Sequence, residues 1–145
     1  MKKKLLLTIS LIMALIMCLS LSACSNNEVA ELETDIWAEA MYTQDTELGD
    51  GAKTVLVEVV AGDKSVTFTI HTDKNILGDV LAEHNLVEGE EKSYGLFVKK
   101  VNGMLADYDK NQCYWGLNQN GESSMTGVDG VEVKDGDHYE FVYTK

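Results

Sequence analysis

Residues 53–85 read KTVLVEVVAGDKSVTFTIHTDKNILGDVLAEHN, and the apolar period changes within them. Residues 53–61 are dense in Val. In residues 65–71, Val66, Phe68 and Ile70 alternate with Ser65, Thr67 and Thr69, the two-residue repeat of a strand. Gly62-Asp63-Lys64 between them reads as a turn, so the segment predicts a hairpin with one buried face. The period then lengthens. Ile76, Leu77, Val80 and Leu81 make one helical stripe, with Asp73 or Asn75 able to cap its start and Asn85 suited to its end.

Toward the C-terminus the two-residue pattern returns. Residues 95–101 (GLFVKKV) predict a third strand closed by Asn102-Gly103, and residues 112–118 (QCYWGLN) a fourth, followed by Asn120-Gly121. Both Asn-Gly pairs are type I′ hairpin signals, because both central positions need positive φ. Lys134-Asp135-Gly136-Asp137 turns into a last strand, residues 138–144 (HYEFVYT). The chain has no Pro, so Gly, Asn and Asp do all the turning. The predicted order is β-β-α-β-β-β with short connections. That is an α+β domain, and a β-grasp-like (ubiquitin-like) mixed sheet packed on one helix fits it. Residues 52–145, about 94 in number, are the expected domain.

The other end of the chain has a different character. Lys2, Lys3 and Lys4 precede an apolar run from Leu5 to Leu19, too short to span a bilayer comfortably and ending in small residues. Residues 1–23 are therefore expected to be a signal peptide. Leu21-Ser22-Ala23-Cys24 resembles the lipobox of bacterial lipoproteins, in which the Cys thiol takes a diacylglycerol before cleavage. That resemblance implies lipidation at Cys24 and a membrane-anchored, extracytoplasmic location. Residues 24–51 read as the lipidated Cys and an acidic tether: eight acids and no Lys fall in residues 25–51. Within them Val29, Leu32, Ile36, Trp37, Ala40 and Met41 recur at roughly helical spacing. A transient helix in the tether, a helix packed on its own domain, and a partner-docking helix all fit that spacing.

Charge narrows the partners. Beyond residue 23 there are nine Lys, no Arg and 24 acids, a net charge of −15. Nucleic acid is excluded as a partner, because neutralising phosphates needs clustered cations. Cys18 leaves with the signal and Cys24 carries lipid, so Cys113 is a lone and buried thiol with no disulfide. His71, His84 and His138 form no motif with it and read as surface histidines; no catalytic pattern occurs, and the protein is not expected to be an enzyme. Asp107-Tyr108-Asp109-Lys110-Asn111 opens like a calcium loop, but Gln112 and Asn118 stand where Gly and Glu are required. Asp135-Gly136-Asp137 reads as a tight turn, so no metal site is assigned. The best binding candidate is Tyr114-Trp115-Gly116-Leu117-Asn118. Two large rings lie on opposite faces of one strand, and Gly116 permits close approach.

Several spaced motifs then share one register: Ile76-Leu77-Gly78-Asp79-Val80-Leu81, Tyr94-Gly95, Val101-Asn102-Gly103, Tyr114-Trp115, Asn120-Gly121, Gly127-Val128 and Lys134-Asp135-Gly136-Asp137. In that series residues 53–144 resemble the transcobalamin-like C-terminal domain of the DUF4430 family. In vitamin B12 carriers this domain is the smaller lobe, closing over one face of the corrin. The resemblance implies that Tyr114, Trp115, Asn118, Asn120 and Gly121 face a cobalamin-like ligand, and that a transporter is a fitting partner. The carriers' helical-barrel lobe has no counterpart in this sequence, and a lone lobe buries half a ligand at best. A cell-envelope protein–protein interaction domain without a small ligand, or a weak divalent metal binder, is the alternative.

Overall fold

The computed structural model describes residues 35–145. Residues 1–23, expected to be a signal peptide, Cys24 and the first part of the amphipathic segment at 28–42 lie outside the described residues.

The domain is α+β. The strands are β1 (Thr46–Gly49), β2 (Lys53–Ala61), β3 (Lys64–Thr72), β4 (Val87–Lys92), β5 (Gly95–Val101), β6 (Met104–Leu105), β7 (Tyr114–Gln119), β8 (Glu122–Ser123) and β9 (His138–Thr144). A six-stranded sheet has the spatial order β1-β3-β2-β9-β7-β8, and a second sheet the order β4-β5-β6. The helix α1 is Leu77–Glu83, and Tyr108–Asn111 forms a single turn, α2. The large sheet is mixed: β2 pairs with β9 in parallel and with β3 antiparallel.

The alternation predicted for 53–71 sorts the two faces. Val55, Val57, Val59, Val66, Phe68 and Ile70 are buried, as are Tyr139 and Phe141 from β9. Leu77, Val80 and Leu81 of α1 cap this layer. Both Asn-Gly turns have positive φ at each residue: 52° and 81° at Asn102-Gly103, 50° and 84° at Asn120-Gly121. Asn85 ends α1 at φ 54°, with Leu86 N–H bonded to the Leu81 carbonyl and Asn85 N–H to that of Ala82, a Schellman closure.

Three expectations need correction. Neither Asp73 nor Asn75 caps α1. Ile76 holds that position and Val131 supplies the carbonyl for Leu77 N–H, because residues 75–77 bridge strand-like to 131–133. Asp73 instead accepts from Ala52 N–H, 2.9 Å away. The predicted order has no strand between α1 and residues 95–101, yet residues 87–92 form β4, antiparallel to β5, with Lys99 and Lys100 of β5 paired to Glu90 and Glu88.

The third correction concerns the tether. Residues 35–49 pack on the domain, although only Ile36–Glu39 forms a helical turn. Trp37 Nε1 donates to the Ala61 carbonyl at 2.9 Å, and the Tyr42 ring stands edge-on to Phe68 at 5.4 Å. Two of the acids that suggested repulsion act as acceptors: Asp45 takes Thr67 N–H and Asp35 pairs with Lys64. Fully buried Asn102 locks the segment. Its Nδ2 donates to the Tyr42 carbonyl at 2.8 Å and its Oδ1 accepts Tyr42 N–H at 2.9 Å. Asn102→Ala removes both bonds and puts Ala at a left-handed φ that Asn tolerates better, so we expect a loss of about 2–4 kcal/mol in urea unfolding. An unfolding midpoint equal to the parent's overturns this account.

Candidate functional site

The residues singled out around 114–121 lie on β7 and its turn into β8, and β7 pairs antiparallel with β9. The strand repeat separates them. Trp115 points into the core at 8% exposure, its Nε1 donating to the Met104 carbonyl at 3.2 Å and its ring edge-on to Tyr143 at 5.3 Å. The ring is thus enclosed by protein and turned away from solvent. Burial first, then the Cys113 thiol, pushes the Tyr143 phenol up to about 12. Tyr114 points the other way and is 44% exposed. Asn118 is half-buried, its Nδ2 donating to Glu140 at 2.6 Å.

Asn120 and Gly121 form the turn itself, and both are exposed. The turn is tied down. Asn120 Oδ1 accepts His138 N–H at 2.9 Å, and its Nδ2 donates to Asp137 Oδ1 at 3.0 Å. Asp137, read from sequence only as part of a tight turn, is the anchor. It is 7% exposed and also accepts from Tyr139 at 2.8 Å, from Lys134 N–H at 2.9 Å and from Gln119 at 3.5 Å. Burial raises its carboxyl, but these donors together outweigh burial and hold it below its ordinary value. Burial and the same carboxylate push the Tyr139 phenol well above its own.

Beside this turn lies an open concavity of about 580 Å³ lined by Gln119, Asn120 and Glu122–Thr126. Met125 stands in it almost fully exposed, at 95%. Of the five sequence candidates, Asn120 lines the concavity and Gly121 closes its turn. Asn118 and Tyr114 lie on the sheet face, and Trp115 lies inside. Nothing in the sequence marks Met125, since a lone Met between Ser and Thr carries no periodicity.

The other polar clusters serve the fold. Asp107 caps α2 through Asp109 N–H, and Asn111 accepts Cys113 N–H. Cys113 is buried and free. His84, expected at the surface, is half-buried with an enclosed Nε2 that has no partner among the described residues. Among the described residues no group of three His, Cys, Asp or Glu is placed to hold a metal ion.

Residues 74–145 match the family described as a domain of unknown function, DUF4430. A solved structure from Ruminococcus gnavus ATCC 29149, described as a candidate metal binding protein, is 38% identical, with a TM-score of 0.61. The match covers 64% of this chain and 97% of that one. The chain belongs to the DUF4430 family. Haptocorrin in complex with Cbi shares the fold of this DUF4430 domain at 19% identity and a TM-score of 0.55. That match covers 64% of this chain and 25% of haptocorrin, so the chain spans about a quarter of haptocorrin's length. No curated protein matches the sequence.

Proposed function

We propose that this DUF4430 protein is a binding module held at the outer face of the cell membrane by lipid on Cys24, presenting its β7–β8 hairpin to a planar small ligand, a corrinoid first among them. One observation carries the reading: the concavity beside the Asn120-Gly121 turn, whose rim is fixed by Asp137 and in which Met125 is 95% exposed. A rigid rim lowers the ordering cost of binding, and an exposed thioether offers a soft apolar contact to a flat ring. The likeness of fold to haptocorrin supports the ligand class, and the central parallel pairing of β2 with β9 beside a hairpin and a helix supports the β-grasp reading. A lone lobe covers one face of such a ligand, so affinity is modest and handing on to a transporter is the fitting role.

Calorimetric titration with cobinamide and cyanocobalamin tests this. We expect saturable heat, and at least about tenfold weaker binding in Met125→Ser with the melting temperature unchanged. Absence of heat at about 0.1 mM ligand sinks the corrinoid reading. A parallel titration with calcium and zinc addresses the metal binding described for the Ruminococcus relative. Cys24→Ser is expected to leave the chain uncleaved and unlipidated by intact mass.

A further inference from the structure

The face of the large sheet opposite the core is built differently from the rest of the surface. Register places Glu58 of β2 directly beside Glu140 of β9, with Thr67 and Asn118 completing the row. The next row toward the β7 end holds Ser65, Val60, Val142 and Gly116, and Tyr114 lies beyond it. Leu56 and Tyr114 are exposed on this face at 40% and 44%. Two carboxylates facing each other across central strands destabilise a sheet. Here their described partners are the neutral Asn118 amide on Glu140 and the His138 imidazole, 3.4 Å from Glu58. Glu47, at the same face, adds a third carboxylate and meets His71 at 2.7 Å. No Lys side chain shares these rows.

We infer that this face docks a basic, extended segment of a partner protein, with an Arg or Lys bridging Glu58 and Glu140 and an apolar side chain on Val60, Val142 and Tyr114. Charge complementarity chooses the occupant. A second copy would set carboxylates against carboxylates, and a bare metal ion lacks a three-ligand group here. Successive rows are about 7 Å apart, the spacing of residues i and i+2 on a strand, so a basic residue followed two positions later by an apolar one matches the face. Four strands offer on the order of 500 Å², the small end of specific interfaces and suited to transient contact. None of these residues lines the hairpin concavity, so both surfaces can be occupied together.

The test is a fluorescence-polarisation titration of the protein with a labelled Arg-Ser-Val-Ser repeat peptide, which sets Arg and Val on one face of a strand, and with its Glu-for-Arg counterpart, at about 20 mM salt. We expect binding of the Arg peptide alone. In Glu58→Gln/Glu140→Gln it should weaken about tenfold or more, while the melting temperature holds or rises as the like-charge pair goes. Glu88→Gln/Glu91→Gln on β4 should leave binding unchanged. Four results overturn the inference: no binding at about 1 mM peptide, equal binding by Glu58→Gln/Glu140→Gln, loss of binding in the β4 variant, or displacement of the peptide by calcium at that concentration. Dimerisation through this face, seen by sedimentation and altered by Glu58→Gln/Glu140→Gln, also overturns it.

Discussion

Asp137→Ala is expected to lower stability by about 3–5 kcal/mol, on the order of 15 °C in melting temperature. The carboxylate is nearly enclosed and takes donors from Asn120, Lys134, Tyr139 and Gln119. Removing it leaves the buried Tyr139 hydroxyl only the Glu132 carbonyl at 3.3 Å and takes the acceptor from the Lys134 amide and the Asn120 and Gln119 side chains together, which costs more than any one bond. It also frees Asn120, so the hairpin turn loses one of its two side-chain ties. Asp137→Asn should cost less, because one oxygen stays to accept.

The same group sets a pH dependence. Hydrogen bonds hold its folded pKa below the ordinary 3.8. A carboxyl depressed in the folded state stabilises fully above its unfolded pKa and loses that stabilisation as pH falls through the folded value. Stability should therefore decline from about pH 4 downward. Asp35 beside Lys64 and Glu90 beside Lys92 are lowered too, so Asp137→Asn should shallow the acid slope without abolishing it. Urea unfolding at several acidic pH values reads this, and parallel curves for parent and variant refute it.

Residues 53–85 were legible because burial on one face writes an alternation into a strand and a stripe into a helix. Both Asn-Gly turns were legible because positive φ restricts the residue type. β1 and β4 were not. Thr46–Gly49, half of it exposed, and Val87–Lys92, almost wholly exposed, are edge strands held by backbone pairing, and an edge strand needs no apolar period. The packing of residues 35–49 was hidden because acids that look repulsive in a sequence can each find one donor in a fold. Asp137 was hidden for the converse reason: Asp in Lys-Asp-Gly-Asp reads as solvated turn, and its burial depends on Asn120 and Tyr139 arriving from elsewhere. The concavity was half legible, since Asn120-Gly121 announced the turn but nothing announced what it borders.

The division of roles along β7 yields the other large effect. Trp115→Ala should cost about 3–5 kcal/mol, since it empties a buried ring site and leaves the Met104 carbonyl without its donor. Trp115→Phe keeps a ring beside Tyr143 and gives up the indole donor, so about 1–2 kcal/mol is expected. Tyr114→Ala, on the opposite and exposed face, should change stability by less than about 0.5 kcal/mol. The contrast matters because the family resemblance assigns both rings to a ligand, whereas the strand repeat lets only one reach solvent. Thermal melts of the three variants, paired with the cobinamide titration, separate core from contact. A Trp115→Phe protein that melts with the parent yet loses ligand heat would restore the indole to the binding surface. A destabilised Trp115→Ala protein that still binds when folded leaves it in the core.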